Sequence, residues 1–280
     1  MEFRTQVDIE KGRWQIPPCE KMLFTGSCFA DNLGARFKDE QFNAVVNPFG
    51  VMYNPVSIGH TVRRVLGGDG AEAFIPNVVV MTLGTNHVYI LNETGEIVDN
   101  CRKRPQKLFT EKELTVDECR NALDESIGIV MRANPSAHVI ITVSPIRYRK
   151  YGYHGSQLGK ATLLLAIDSL LKTSRYAGQT DYFPAYEIVL DELRDYRFYQ
   201  PDMLHPSQQA VDYIYERFAD TYFSAGTFAF LKEWEPLRQA LGHRPFNPDS
   251  EEYKEFRHKT MLKVNALSKK YPNFAYQETK

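Results

Sequence analysis

The chain has 280 residues, with 34 Lys+Arg against 35 Asp+Glu, a formal net charge of −1 and four cysteines. A hydrophobic content of 43%, with 12% aromatics, provides ample core and excludes a disordered chain, while the balanced charge supplies no basic field for a nucleic-acid backbone. No window approaches 18 uninterrupted apolar residues, so no membrane span is expected. Met1–Asp8 lacks the layout of a signal peptide, which points to a cytoplasmic protein.

Lys21–Thr25 is a short apolar run that ends at Gly26 and leads into an amphipathic stretch reaching Phe37, the opening of a βαβ unit. Asn43–Val46 predicts a second strand closed by the turn Asn47-Pro48-Phe49-Gly50, and Val56–Leu66 has helical spacing. Asn77–Leu83 is continuous and β-branched, as in a strand buried on both faces. Val88–Leu91 and Glu96–Val98 predict a hairpin, followed by a basic, solvated loop at Cys101–Pro105. Thr115 and Glu118 form a capping box for a helix to Ala133, and His138–Val143 is another buried strand. Gln157–Leu171 reads as a helix, Tyr186–Leu190 as the last strand, and Ser207–Phe223 as a helix capped by Ser207.

This alternation predicts an α/β fold, a mostly parallel sheet covered by helices on both faces over residues 1–225. Beyond Gly226 only helical patterns remain, Thr227–Leu241 and Ser250–Lys270. Residues 226–280 are expected to form a helical extension packed on the body, being too short for an independent core.

The cysteines (Cys19, Cys28, Cys101 and Cys119) contain no C-x-x-C pair and no histidine at zinc spacing, so neither a disulfide framework nor a structural zinc site is expected. Ligands of an open parallel sheet bind beyond the carboxyl ends of its strands, where four elements fall. Gly26-Ser27-Cys28 sits where the first strand turns into a helix, whose N-terminal N–H groups favour an oxyanion or a thiolate. A turn with a buried, inert Cys28 is the bland reading of the same residues. Gly50 ends the second strand's turn, and Gly84-Thr85-Asn86-His87 ends the third buried strand. Gly50 reads by default as an ordinary turn glycine, and Gly84–His87 reads equally well as a satisfied polar turn. Asp202-Met203-Leu204-His205-Pro206-Ser207 places an acid three residues before a histidine at a helix mouth, an arrangement suited to an acid that orients a general base.

In this order the four elements resemble the blocks of the SGNH/GDSL hydrolase superfamily. More narrowly, Gly26-Ser27-Cys28-Phe29-Ala30 is the signature after which the GSCFA-domain family is named. Asn47–Val51, Tyr53-Asn54-Pro55, Thr142–Pro145 and Asp195–Ser207 are similar to that family as well, so the resemblance covers about residues 20 to 250. It implies an SGNH-like, flavodoxin-like sheet and an esterase or acyltransferase acting on an O-acyl group of a small molecule or a glycan. Laying the superfamily's Gly-x-Ser on Gly26-Ser27-Cys28 puts Cys28 at the nucleophile position. Making Ser27 the nucleophile instead leaves Thr25 where the turn needs glycine, so Cys28 is favoured.

The resemblance further implies His205 as base, Asp202 as its orienting acid, and an oxyanion held by the nucleophile's N–H, Gly50 N–H and Asn86 Nδ2. His87 departs from the pattern by standing where the superfamily has aspartate. No metal or organic cofactor is implied. The rival reading is a ligand- or glycan-binding module that keeps the fold without turnover. Near-neutral net charge fits an uncharged ester, and the sequence leaves open a homo-oligomer.

Overall fold

The structure, a computed structural model, describes residues 4–67, 73–271, 273, 274 and 276. Its centre is a parallel five-stranded sheet of β1 (Lys21–Gly26), β2 (Asn43–Val46), β3 (Val78–Leu83), β7 (His138–Val143) and β8 (Thr180–Tyr182), in the order β2-β1-β3-β7-β8. Numbered among themselves these strands run 2-1-3-4-5, the flavodoxin-like order. The pairing of β3 with β7 extends from Val78 opposite His138 to Leu83 opposite Val143. All six residues of β3 are buried, which is why its sequence shows no polar alternation.

Helices cover both faces, and the strand residues divide between them with period two. Met22, Phe24, Val78, Val80 and Ile140 pack under α1 (Cys28–Asp39) and α6 (Gln208–Tyr222). Leu23, Val79, Met81, Val139 and Ile141 pack under α2 (Pro55–Gly67), α3 (Val116–Ala133) and α4 (Gly152–Thr173). The predicted capping box of α3 is present, with Thr115 and Glu118 bonding each other's backbone N–H groups.

A second, antiparallel sheet orders β5 (Ile97–Val98), β4 (His87–Leu91) and β6 (Phe109–Glu113). Its β6 was not expected, because Phe109-Thr-Glu-Lys-Glu113 exposes four of its five residues and carries no apolar alternation.

The expected strand at Tyr186–Leu190 is corrected. The last strand is Thr180–Tyr182, and the chain from Ala185 forms a helical turn, α5 (Ala185–Glu187), that continues as a π-helix over Ile188–Glu192. A short apolar run cannot by itself separate a strand from a buried helical turn. Ile188 and Val189 are buried against the α1–α6 layer, and that packing selected the helix.

At the C-terminus α7 (Ala225–Gly242) and α8 (Glu251–Lys270) share a core of Phe230, Trp234, Leu237, Val264 and Leu267, which also takes in Cys19. Trp234 Nε1 donates to the Asp39 carbonyl at 2.9 Å, tying this helical layer to the end of α1. Among the described residues, no helix is long and apolar enough to cross a membrane.

Candidate active site

The strand order reverses between β1 and β3, and at such a switch point the connections leave to opposite faces and open a crevice at the carboxyl ends. The chain turns sharply there at Gly26, whose φ is +139°. A Cβ at Gly26 would lie 2.2 Å from the Thr82 carbonyl oxygen of β3, so only glycine fits both the backbone angle and the space. Gly26 N–H donates to Asn47 Oδ1 at 2.9 Å, and Asn47 Nδ2 donates to Asp31 Oδ1 at 2.7 Å. Asn47 itself sits at φ 38°, a left-handed conformation that asparagine tolerates. The following segment is drawn over the crevice: Met52 N–H donates to the Gly26 carbonyl, and Gly84 and Thr85 N–H donate to the Tyr53 carbonyl.

Ser27 and Cys28, adjacent in sequence, have opposite surroundings. Ser27 is 1% exposed and caps α1, its Oγ accepting from Phe29 N–H at 3.3 Å and lying 3.1 Å from Thr82 Oγ1. Cys28 is the first residue of α1, is half-buried, and sets its Sγ 3.5 Å from the Tyr53 hydroxyl. Burial pushes Tyr53 well above the usual phenol range, and the contact with Cys28 adds to it, so the hydroxyl keeps its proton and can donate it. Burial also pushes the thiols of Cys19 and Cys119 up to about 12, which leaves them inert.

Asp202 and His205 form the second part of the site, on the loop before α6. His205 Nδ1 lies 2.5 Å from Asp202 Oδ2, while Asp202 Oδ1 accepts from His205 N–H at 3.0 Å and Leu204 N–H at 2.8 Å. The backbone donors, His205 first and Leu204 next, and then the imidazole hold this carboxyl down to about 2. An ionised Asp202 makes Nδ1 the protonated nitrogen of a neutral His205, leaving the Nε2 lone pair free to accept a proton. Among the described residues Nε2 has no hydrogen-bond partner. Met203, at φ 60°, lets the loop fold back on itself, and Arg147 N–H donates to the Leu204 carbonyl at 3.1 Å, fastening the loop to the end of β7.

The two parts approach each other through aromatic side chains. The Tyr53 ring is 5.8 Å from that of Tyr148, the residue following Arg147. Tyr148 is 5.5 Å from Tyr151, which stacks on His87 at 3.5 Å. Cys28 Sγ and the His205 imidazole are not hydrogen-bonded in this structure, the thiol being engaged by Tyr53 and the imidazole by Asp202.

Gly50 and Asn86, the expected oxyanion donors, lie at the ends of the β2 turn and of β3. Gly50 has the positive φ (+89°) of a turn glycine, but its N–H donates to the Asn47 carbonyl at 2.9 Å and closes that turn. Asn86 is 3% exposed, gives an Nδ2 hydrogen to the Leu114 carbonyl, and turns its Oδ1 toward Gly159 of α4, where a Cβ would be 3.0 Å away. The Nδ2 group is thus held by the residue that follows β6, while the buried Oδ1 has no hydrogen-bond partner among the described residues. His87 is the first residue of β4. Tyr53, by contrast, belongs to no catalytic pattern in the sequence. Its signal was its place in the segment Asn47–Pro55, two residues before a helix-starting proline.

No curated protein matches the chain. Among solved structures it is similar to a family two carbohydrate esterase from Clostridium thermocellum in complex with cellohexaose, at 15% identity over 73% of this chain and 64% of that one, TM-score 0.44. It is also similar to a carbohydrate esterase family 3 structure from Talaromyces cellulolyticus, at 11% identity over 76% of this chain and 99% of that one, TM-score 0.43. The model of the GSCFA family matches residues 21–75 and 69–218, and that of the GSCFA domain protein C-terminal domain matches 234–280. The first match takes in the Gly26 turn, Cys28, Tyr53 and the Asp202–His205 loop, and on that span the chain belongs to the GSCFA family.

Proposed function

We propose that the protein is an ester hydrolase or acyltransferase acting on O-acyl groups, with Cys28 as nucleophile, His205 as general base and acid, and Asp202 as the residue that orients His205. Attack of the Cys28 sulfur on the acyl carbonyl carbon passes the thiol proton to His205 Nε2 and forms a tetrahedral adduct. Collapse of the adduct breaks the ester C–O bond, and His205 returns the proton to the leaving alcohol. The resulting thioester is then attacked by water, or by an acceptor alcohol, which His205 deprotonates; the acyl group departs and the thiol is restored.

The observation that carries this reading is the contrast at the β1 turn. Ser27 is sealed behind α1's cap, while Cys28 is accessible at the helix N-terminus, on the same sheet edge as a histidine whose Nε2 is unpartnered. The Cys28 N–H, directed with α1's N-terminal dipole, and the protonated Tyr53 hydroxyl supply oxyanion donors where Gly50 N–H does not.

The test is hydrolysis of short-chain p-nitrophenyl esters by wild type, Cys28→Ala, Ser27→Ala and His205→Ala. Cys28→Ala and His205→Ala are expected to lower kcat/KM by about 10³-fold or more, and Ser27→Ala by less than about tenfold. Loss of turnover in Ser27→Ala with retention in Cys28→Ala would make Ser27 the nucleophile. The missing Sγ–imidazole hydrogen bond favours the second reading, a binding module without turnover. That reading expects ligand-induced thermal stabilisation and no hydrolysis of any acyl donor.

A further inference from the structure

Beside the Asp202–His205 loop lies a cavity of about 430 Å³, whose walls include Arg147, Gln157, Lys160, Tyr186, Tyr199 and Met203. Lys160, on α4, is 2% exposed, yet its ammonium has one hydrogen-bond acceptor, the Ser144 carbonyl at 2.6 Å. Its ammonium lies 5.8 Å from the centre of the Tyr186 ring, but among the described residues it has no second hydrogen-bond acceptor and no carboxylate pairs with it. A buried cation left in that condition is costly unless something else neutralises it.

The second cation, Arg147, is in a similar position. Its guanidinium lies 4.1 Å from the centre of the Tyr199 ring and touches the Met203 carbonyl at 3.5 Å, with no ion pair among the described residues. Among the described residues no acidic side chain lines the cavity. The first acid occurs in the adjoining hollow of about 290 Å³, where Asp195 comes together with Arg194 and accepts from Arg197 N–H. A net charge near zero over the chain therefore conceals a locally cationic pocket.

The position of the pocket decides which part of an ester it serves. The histidine of such a mechanism protonates the leaving oxygen, so the alcohol lies on the histidine's side of the nucleophile. Of the cavity wall, Met203 lies two residues before His205 and Tyr199 is bridged to Pro206 directly after it, and Arg147 N–H holds the Leu204 carbonyl. We infer that this cavity binds the alcohol part of the ester, and that this alcohol carries an anionic group, a carboxylate or a phosphate, received between Lys160 and Arg147. Tyr186 and Tyr199 offer ring faces to the rest of the alcohol, as they would to a sugar. The placement on the alcohol side rests on the hydrolase reading above; the anion preference rests on the cavity itself. Burial lowers the Lys160 ammonium to about 7, and a bound anion would restore its charge.

Isothermal titration with glucuronate, glucose 6-phosphate and glucose tests this without turnover. Wild type is expected to bind at least one of the two anions about tenfold more tightly than glucose, and the preferred anion identifies carboxylate or phosphate. Arg147→Gln and Lys160→Gln are each expected to weaken that anion about tenfold. Arg147 is half-buried, so its variant keeps the test informative if Lys160→Gln fails to fold. Equal binding of glucose and both anions, or anion binding unchanged in Arg147→Gln, overturns the proposal. Ester hydrolysis without an anion preference would sink this proposal alone. Anion binding without any hydrolysis would leave the subsite standing and remove the hydrolase reading.

Discussion

The two ends of the cleft are built on different terms. At the β1–β3 end the groups that shape the turn are closed on neighbours: Gly26 on Asn47, Asn47 on Asp31, Ser27 on Thr82, Gly50 on Asn47. At the β7 end Lys160 and Arg147 face a cavity without counter-charge. The first end is pre-organised around one accessible thiol. The second carries an electrostatic cost that the fold alone does not relieve. A rigid nucleophile end beside an unsatisfied binding end is what chemistry at one point and selectivity at another require.

The largest effect should come from breaking the closed end. Gly26→Ala forces a Cβ against the Thr82 carbonyl at a φ of +139° and is expected to cost about 3 kcal/mol in urea unfolding. A loss below about 1 kcal/mol would mean that this turn is less rigid than its hydrogen bonds indicate.

The open end should respond in the opposite sense. From pH of about 7 to the ordinary lysine value of 10.5, the unfolded chain holds a proton that folded Lys160 has released, so stability rises with pH across that window. Below it the folded protein bears the buried charge in full. Lys160→Met is therefore expected to stabilise the protein by about 2 kcal/mol at pH 6 and to lose that advantage as pH approaches 10. Unfolding midpoints across this range measure it, and a pH-independent difference would show that the charge is relieved in another way.

Two smaller changes separate support from reaction at the β1 turn. Ser27→Ala removes the α1 cap and is expected to cost about 1 kcal/mol of stability while turnover persists. Tyr53→Phe removes the hydroxyl that meets Cys28 Sγ and is expected to slow iodoacetamide labelling of Cys28 about fivefold, with little change in stability. Faster labelling would show that the tyrosine shields the sulfur instead of activating it.

Local signals carried much of this molecule. The continuous β-branched run at Asn77–Leu83, the Thr115–Glu118 capping box and the Ser207 cap each predict their element without reference to the rest of the chain. The Asp202–His205 pair was legible because both partners lie on one short loop, three residues apart. Residues whose partners are remote in sequence were not legible in the same way. Asn86 reads as a turn residue after β3, and only the fold brings the Leu114 carbonyl onto its Nδ2. Tyr186–Leu190 looks like a strand until the α1–α6 layer claims Ile188 and Val189.

The sequence by itself determined the alternating architecture, the glycine turn at Gly26 and the chemical types available at the cleft, since these follow from periodicity, backbone sterics and residue chemistry. Tertiary structure alone decided the environment of each group. Ser27 and Cys28 share a turn and a polar character, yet Thr82, 55 residues away, seals one while Tyr53 meets the other. In the same way only the packing of α4 against the end of β7 converts Lys160 from an ordinary helix residue into a buried cation. Burial and counter-charge are properties of the neighbours that folding brings together, so no local pattern could have announced them.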